Sequence, residues 1–235
     1  GKSKYSIKNS FSFREFIKHQ KIPDDYILAS FDVVSLYTNV PIDLAIKVVE
    51  KKWGKLEKLT KLPKKEFMYA LEVCLKSTFF QYKDSYFQQI SGLAMGAPVS
   101  ACVADLVMEH VEEEVLGKYA GKFVFYKRFV DDCLVGIHRD NCQELLDLFN
   151  TFHPSLQFTC ETEVDKSINF LDLTISHQRG PKIYTKWFQK PTHSGRYLSF
   201  FSAAPFHQKM NVVNNLLTRV FRLTDKCYIN ETIAK

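Results

Sequence analysis

Several features that assign chains of this size to familiar classes are missing from this sequence. No apolar run approaches the roughly 20 residues that a membrane-spanning helix needs, and no apolar core of a signal peptide follows the first ten residues, GKSKYSIKNS. The six cysteines form no Cys-x-x-Cys pair, which argues against a zinc site. No internal repeat or low-complexity segment is present. These absences favour an intracellular globular protein whose cysteines are buried free thiols in a reducing compartment.

What is present is an apolar, aromatic and moderately basic chain. The 235 residues are 46% hydrophobic and 14% aromatic, with Phe the commonest aromatic residue. That length is enough for one large core or two small ones. The formal net charge of +6 suits a polyanionic partner such as nucleic acid, although charge alone does not identify one.

The order of apolar patterns predicts an α+β fold. Strands and helices do not alternate as in a parallel βαβ array, and the order suits a mixed, mostly antiparallel sheet with helices on one face, the ferredoxin-like split βαβ plan. The predicted helices are an amphipathic one before residue 20, then 41–52, 64–77, 98–116 and 141–152, with a helical segment from about residue 192; the predicted strands are 26–31, a hairpin at 79–90, then 122–130, 133–138, 157–163, 169–175 and 182–188, and residues 51–65 are a solvated connector.

Acidic residues stand where apolar strands stop. Asp32 follows YILASF, and Asp131 and Asp132 interrupt the apolar runs FVFYKRFV and CLVGI. A carboxylate between apolar strands is costly unless something compensates it, and two acids in a tight turn repel each other. The compensating partner that fits best is a hard cation such as Mg²⁺, which binds through one or two carboxylates together with substrate phosphates.

If Asp32 meets Asp131 across neighbouring strands, the two carboxylates can bridge two ions. Such a pair, about 3.5–4 Å apart, clamps the attacking and leaving oxygens of an in-line phosphoryl transfer. The alternative is that Asp131 and Asp132 form an ordinary hairpin turn, because Asp favours turns. Taken alone, the Asp-Asp pair favours that alternative; Asp32 and the glycine-containing loop at Gly92–Gly96 favour the metal site.

Four segments resemble a known family over nearly the whole chain. FDVVSLYTNVP (31–41) resembles the first catalytic motif of Penelope-like reverse transcriptases, and GLAMGAPVSACVADLVME (92–109) resembles their second. RFVDDC (128–133) is similar to the aromatic-x-Asp-Asp turn of reverse transcriptases, and INFLDLTI (168–175) to the downstream palm. The resemblance implies a reverse-transcriptase right-hand palm with a small helical thumb. The implied division is a remnant of the fingers at 1–26, the palm with a fingers-like insertion at 27–188, and a partial thumb at 189–235.

The resemblance also implies a function and its cofactors. The chain is expected to be a retroelement-derived, RNA-directed DNA polymerase that extends the 3′-OH of a DNA primer on an RNA template. It would use deoxynucleoside triphosphates and two Mg²⁺ ions, with Mn²⁺ as the alternative metal. No membrane partner is expected, and the implied location is nuclear, otherwise cytoplasmic. Most of the fingers and the GIY-YIG endonuclease of the family have no counterpart in these residues.

The family motifs assign roles to particular residues. Asp32, Asp131 and Asp132 are the expected catalytic acids, with Asp32, Asp131 and the backbone of Val33 as metal ligands. Tyr37 is the expected gate against the ribose 2′-OH, the hydroxyl that separates RNA from DNA building blocks; a core aromatic is the alternative. Asp172 is expected to be structural, away from the metal site. The expected nucleotide-binding residues are Val34, Ser35, Leu36, Tyr37, Gly96, Ala97 and Pro98.

Basic and aromatic residues mark the expected nucleic-acid track. Cations there neutralise phosphates, and aromatic rings stack on bases. A solvated charged face is the alternative for each residue alone. The expected nucleic-acid-binding residues are Lys127, Arg128, Lys186, Trp187, Lys190, Lys209 and Arg219.

Two other functions compete with reverse transcription. A catalytically silent, captured palm would act as a nucleic-acid-binding or scaffold module, and the missing fingers favour it. An RNA-dependent RNA polymerase shares the palm, but Tyr37 argues against it because such an enzyme needs room for the 2′-OH. The three retained acids favour an active enzyme.

Overall fold

A computed structural model of the chain describes residues 3–178 and 180–233. It contains helices and strands in the order that an α+β fold requires. The helices are α1 (Ser10–Ile17), α2 (Leu36–Asn39), α3 (Ile42–Lys51), α4 (Trp53–Leu56), α5 (Lys64–Lys76), α6 (Pro98–Lys118), α7 (Cys142–Phe152), α8 (Phe206–Leu223) and α9 (Ile229–Ile233). The strands are β1 (Tyr26–Val33), β2 (Phe79–Tyr82), β3 (Ser85–Gln88), β4 (Phe123–Phe129), β5 (Asp132–His138), β6 (Phe158–Thr162), β7 (Ser167–Phe170), β8 (Leu173–Ser176) and β9 (Tyr184–Trp187).

The chain divides into two compact units. The first unit comprises residues 31–122 and 140–160. The second unit comprises the described residues of 2–30, 123–139 and 161–235. The division into fingers remnant, palm and thumb stays a prediction.

A four-stranded sheet with the order β4-β5-β1-β6 carries the acidic segments. Strands β4 and β5 pair antiparallel as a hairpin that closes with Phe129 opposite Asp132. Within the second unit β1 also runs antiparallel to β5, because the N–H of Arg139 donates to the carbonyl of Asp25 (3.1 Å) while Ser30 Oγ donates to the carbonyl of Cys133 (3.2 Å). The sheet is therefore antiparallel at these pairs, as the sequence predicted.

In the first unit the helices pack around α6. Pro98 occupies the first turn of this helix, where its missing N–H costs no hydrogen bond. Val103, Val107 and Val111 recur at four-residue spacing and are buried, which gives α6 its core face. Lys52 is buried beside it and forms ion pairs with α6 carboxylates, at 3.1 Å from Glu109 and 3.0 Å from Glu113.

The second unit has a separate core built around α1 and a three-stranded antiparallel sheet, β7-β8-β9. The ring of Phe13 on α1 contacts that of Phe170 on β7, with centroids 4.9 Å apart. The fully or almost fully buried members of this core include Phe13, Ile17, Ile22, Leu28, Leu134, Leu173, Ile175, Ile183 and Leu223. The predicted amphipathic N-terminal helix is confirmed, and its apolar face lies in this core.

Three predictions about local structure were wrong. The single strand expected at 169–175 is a hairpin, because Leu171 adopts a left-handed φ of 53° and separates β7 from β8. The C-terminal helix begins at Phe206 rather than near residue 192, directly after Pro205. The connector expected at 51–65 contains α4 and a 3₁₀ turn, Glu57–Leu59, and Trp53 packs on Phe67 with ring centroids 5.2 Å apart. Among the residues that the structure describes, no helix has both the length and the apolar character to cross a membrane.

Candidate active site

Asp32 is the one exposed residue between two buried neighbours near the end of β1. Phe31 and Val33 point into the core, and the strand alternation turns the Asp32 carboxylate to the opposite, accessible face. The backbone then leaves the strand: Val34 N–H donates to the carbonyl of Gln157 (2.9 Å), and Ser35 adopts a left-handed φ of 47°. The backbone N–H of Val34 therefore already has an acceptor, and Ser35 leads into the short helix α2.

The second-motif loop docks on the segment that follows Asp32. Leu93 N–H donates to the carbonyl of half-buried Tyr37 at 2.6 Å. Gly92, at φ 74°, packs so closely on Thr38 that an added Cβ would lie 2.5 Å from the Thr38 carbonyl oxygen. Only glycine fits this approach. Tyr37 and the loop are therefore fixed to each other within the first unit.

Gly96, Ala97 and Pro98 form the end of that loop and the start of α6. Gly96 has a φ of 91°, a conformation that side chains disfavour, and it is exposed. Ala97 is extended at the helix N-cap, and its carbonyl accepts the N–H of Ser100 at 3.0 Å. The loop thus presents exposed backbone near α6, as a nucleotide-binding loop requires, while its contacts with nucleotide stay a prediction.

In the second unit, the acidic pair sits on a strained two-residue turn. Val130 and Asp131 connect β4 to β5, and Val130 has a φ of 59°. A β-branched residue in this region is an outlier, because its side chain crowds the backbone. Asp131 and Asp132 are both half-buried. Such strain is found where surrounding structure enforces a functional geometry.

The two basic residues before the turn occupy different environments. Arg128 is fully buried, and its Nη1 donates to the carbonyl of Val130 at 2.9 Å. Lys127 lies on the other face, where its Nζ donates to the carbonyl of Lys4 (2.9 Å) and sits 4.8 Å above the ring of Phe16. Arg128 therefore contacts the turn backbone, and its fully buried side chain is not presented to solvent.

The other predicted nucleic-acid residues lie in the C-terminal part of the second unit. Lys186 pairs with Glu231 (2.7 Å), Arg219 pairs with Asp172 (3.3 Å), and Lys209 Nζ donates to the carbonyls of Phe200 and Ser202 (2.5 and 2.8 Å). Trp187, Lys190 and Arg219 line one cavity of about 590 Å³. The structure brings these three together, whereas Lys127 and Arg128 lie at the turn.

Two polar residues of structural importance were not predicted. Asp225 accepts the N–H of Thr185 (2.7 Å) and pairs with Arg14 (3.0 Å), so it ties β9 to α1. His177, which had no assigned role, is buried with its Nε2 2.7 Å from Glu163. Neither residue stands in a recognisable motif, and only the folded chain brings the partners together.

Asp172 accepts from Ser10 Oγ at 2.7 Å as well as pairing with Arg219, which agrees with its predicted structural role.

Across residues 3–178 and 180–233, no three His, Cys, Asp or Glu side chains form a group that could hold a metal ion. Any ion at the predicted catalytic acids must therefore take further ligands from backbone, water or substrate. Mg²⁺ is suited to this, because it usually binds proteins through one or two carboxylates and completes its octahedron with waters and phosphates.

Comparison with solved structures identifies the fold. Telomerase from Candida albicans, in complex with a fragment of telomeric RNA, superposes with a TM-score of 0.67 and 14% sequence identity, covering 90% of this chain and 38% of that one. The RNA-dependent RNA polymerase of a human picobirnavirus has a TM-score of 0.60 and 11% identity, covering 96% and 45%. The chain has a polymerase-like fold. A Candida tropicalis telomerase in complex with a telomeric RNA fragment agrees, with a TM-score of 0.57, 11% identity and coverage of 93% and 38%.

The other comparisons are narrower. This polymerase-like chain spans well under half the length of the telomerases that it matches. A family model described as the animal helix-turn-helix domain matches residues 196–235, which include α8, the turn after it and α9. Ala234 and Lys235, at the end of that match and of the predicted thumb, lie outside the described residues. No curated protein matches the sequence.

Proposed function

We propose that the chain is the palm and partial thumb of an RNA-directed DNA polymerase of the Penelope-like group. The observation that carries the proposal is the strained Val130–Asp131 turn. It places Asp131 directly before β5, the strand that neighbours β1 in the sheet. The polymerase-like fold supports it, and so does the docking of the Gly92 loop on Tyr37. In this proposal the sheet is the ferredoxin-like palm.

The exposed position of Asp32 on β1 supports its proposed role as a metal ligand. In the second unit the contacts Asp25–Arg139 and Ser30–Cys133 show that β1 and β5 run antiparallel, and the alternation along β1 gives Asp32 the same facing as Ser30. Asp32 follows the apolar run of β1, and Asp131 lies in the turn directly before β5. The proposal assigns these two carboxylates to metal binding, with Asp132 in support.

The donor set fits divalent Mg²⁺ or Mn²⁺. Two carboxylates and the Val33 carbonyl are hard oxygen ligands, and the substrate phosphates supply the rest. Held by these residues, divalent ions would supply Lewis-acid activation and charge neutralisation for phosphoryl transfer. The protein positions the reactants: backbone of the segment Ser35–Leu36 and the Gly96–Pro98 loop hold the nucleotide, and Tyr37 limits the room beside the ribose.

The experiment is extension of a labelled DNA primer on an RNA template with Mg²⁺ and deoxynucleotides. We expect extension by the unaltered chain and none by Asp131→Asn or Asp32→Asn, because each removes one charge from the proposed ligand set. Asp165→Asn is the matched control: Asp165 is an exposed acid in another tight turn, with a φ of 51°. Equal extension by Asp131→Asn and Asp165→Asn contradicts the proposal. Template–primer binding without extension by any variant favours the silent, captured palm.

A further inference from the structure

One cavity of the second unit combines aromatic rings with cations. It has a volume of about 590 Å³ and lies between the β9 end, the segment that follows it and α8. Trp187, Phe188, His193 and Tyr197 supply rings, Val212 and Leu216 supply the apolar wall of α8, and Lys190 and Arg219 supply positive charge. The volume lies within the range of about 300–1,000 Å³ that is usual for small-ligand sites.

The ring arrangement of the cavity is held by hydrogen bonds. Tyr197 Oη lies 2.9 Å from His193 Nε2 and accepts from Gln189 Nε2 at 3.1 Å. The N–H of His193 donates to the carbonyl of Lys190 at 2.8 Å, so the segment turns back on itself. On the opposite side β9 is tied to the residue that follows α8, because Trp187 N–H donates to Thr224 Oγ1 at 3.0 Å. The pocket is therefore braced on both sides.

The charges in the cavity favour an anionic ligand. Lys190, Arg219 and the Asp172 carboxylate all line the cavity, and Arg219 is paired with Asp172 at 3.3 Å, so the net positive charge of the lining comes from Lys190. Lys190 is exposed at the rim. A ligand with a planar aromatic group and a nearby negative charge matches both the rings and the cations.

We propose that this cavity holds one unstacked nucleotide of a single-stranded nucleic acid, with its base among the rings and its phosphate near Lys190 and Arg219. Base stacking on aromatic side chains tolerates any sequence, and flanking cations follow the strand backbone. The proposal rests on the nucleic-acid binding of the proposed function and not on its catalysis. It gives the C-terminal part of the chain a single-strand clamp, separate from the Asp131 turn.

The chain offers a direct probe, because its two tryptophans are Trp53 and Trp187. In a Trp53→Phe background, Trp187 fluorescence reports on the cavity alone. The protein is titrated with a short single-stranded oligothymidylate and with an abasic strand of equal length and charge. We expect the base-containing strand to quench Trp187 and to bind roughly tenfold more tightly, the effect of losing one stacked base. Equal quenching and affinity for the two strands overturns the proposal.

Variants of Tyr197, whose side chain also lines the cavity, sharpen the test. Tyr197→Leu is expected to abolish the preference for bases, whereas Tyr197→Phe keeps the ring and the preference while losing the hydroxyl bonds. Phe201→Leu is the matched control, since Phe201 is 95% exposed and does not line the cavity. An equal loss of the preference for the base-containing strand in Phe201→Leu and Tyr197→Leu overturns the proposal. So does Trp187 fluorescence that changes with protein concentration in the absence of oligonucleotide.

The same preparations separate this proposal from the polymerase proposal. Base-dependent quenching of Trp187 without primer extension supports the single-strand clamp and contradicts the polymerase proposal. Primer extension that requires Asp131, without base-dependent quenching, supports the polymerase proposal and contradicts the single-strand clamp.

Discussion

The buried guanidinium of Arg128 donates to the carbonyl of Val130 at 2.9 Å, which links a fully buried cation to the backbone of the acidic turn. Val130 is the residue with the left-handed φ of 59°, and Asp131 follows it directly. Arg128 also exchanges backbone hydrogen bonds with the N-terminal segment, from its N–H to the Tyr5 carbonyl (2.9 Å) and from the Ile7 N–H to its carbonyl (2.9 Å). The geometry of the turn thus depends on a residue whose side chain is not presented to solvent.

Replacing Arg128 tests this dependence. We expect Arg128→Met to lower the free energy of unfolding by about 1–3 kcal/mol or more, because the Val130 carbonyl loses a donor and a buried charge is removed from its partners. Primer extension should fall with it. Denaturant unfolding measures the first effect. Lys127→Met, one residue away on the other face, is the control and should change stability by less than about 0.5 kcal/mol. Equal effects of the two substitutions contradict the role of Arg128.

The strain at Val130 can be relieved by a residue that tolerates left-handed backbone. We expect Val130→Asn to raise the free energy of unfolding by up to about 1 kcal/mol, because Asn adopts positive φ far more readily than a β-branched residue. Val130 is 41% exposed, so little apolar burial is lost. Thermal unfolding measures the change. Val135→Asn, at a fully buried position of β5, should instead be strongly destabilising. A destabilised Val130→Asn variant would show that the valine side chain itself is needed there.

Gly92 provides a test of the contact between the two family motifs in the first unit. An alanine Cβ at this position meets the Thr38 carbonyl oxygen at 2.5 Å and adopts a φ of 74°. We therefore expect Gly92→Ala to destabilise the protein by about 1–3 kcal/mol and to impair nucleotide use through Tyr37. In Gly54→Ala no heavy atom lies within 4 Å of the new Cβ. Because Gly54 is helical, we expect this substitution to leave the free energy of unfolding unchanged or to raise it by about 0.5–1 kcal/mol. Chemical unfolding of both variants measures these free energies. A Gly92→Ala variant as stable as the unaltered protein would contradict the close packing of Gly92 on Thr38.

Tyr37 is predicted to exclude ribonucleotides. We expect Tyr37→Ala to gain ribonucleotide incorporation in primer extension, because removal of the ring makes room beside the ribose 2′-OH. Tyr37→Phe is the matched control and should keep the preference for deoxynucleotides, since it retains the ring. An unchanged sugar preference in Tyr37→Ala would leave Tyr37 as a core aromatic.

Cys142 and Cys160 form a pair that oxidation can join. Their Sγ atoms are 3.6 Å apart in the first unit, and the hydrogen bond from the Cys160 thiol lowers the pKa of Cys142. We expect the Cys142 thiolate to attack a small-molecule disulfide, releasing one thiol, and Cys160 to displace the second, leaving a protein disulfide with two hydrogen atoms fewer.

Non-reducing peptide mapping after treatment with oxidised glutathione checks this pairing. A Cys160→Ala variant should stop at the mixed disulfide on Cys142. The exposed thiols of Cys74 and Cys227 serve as internal references for accessibility. Glutathione on those two residues, with Cys142 and Cys160 still reduced, would contradict the expected exchange.

Sequence patterns were most informative where local and tertiary preferences agree. The strand before Asp32 and the helix after Pro98 were predicted because each is an apolar pattern with a clear boundary, and β1 and α6 confirm them. The β7–β8 hairpin was missed because its turn uses Leu171 and Asp172, without glycine or proline. Its Asp172 is fixed by Ser10, 162 residues away in the chain, and such a contact leaves no local signal.

The candidate site shows the same limit. The acids stand out in the sequence, because each is a carboxylate at the end of an apolar run, and their catalytic role stays a prediction. Lys127 and Arg128, however, look alike as a basic pair, and only the fold shows that Arg128 is buried at the turn while Lys127 lies over Phe16. Environment distinguishes them, and it is set by the N-terminal segment pairing with β4.

The sheet order also constrains how the chain is made. Strand β1 ends at Val33, but its neighbours β5 and β6 begin only at Asp132 and Phe158, so about 100 residues must follow before either edge of β1 can pair. Pairing across such a separation is slow, and an apolar strand that waits for its partners is prone to aggregate. During synthesis on the ribosome, the segment that carries Asp32 therefore emerges long before its partners and stays exposed until they are made.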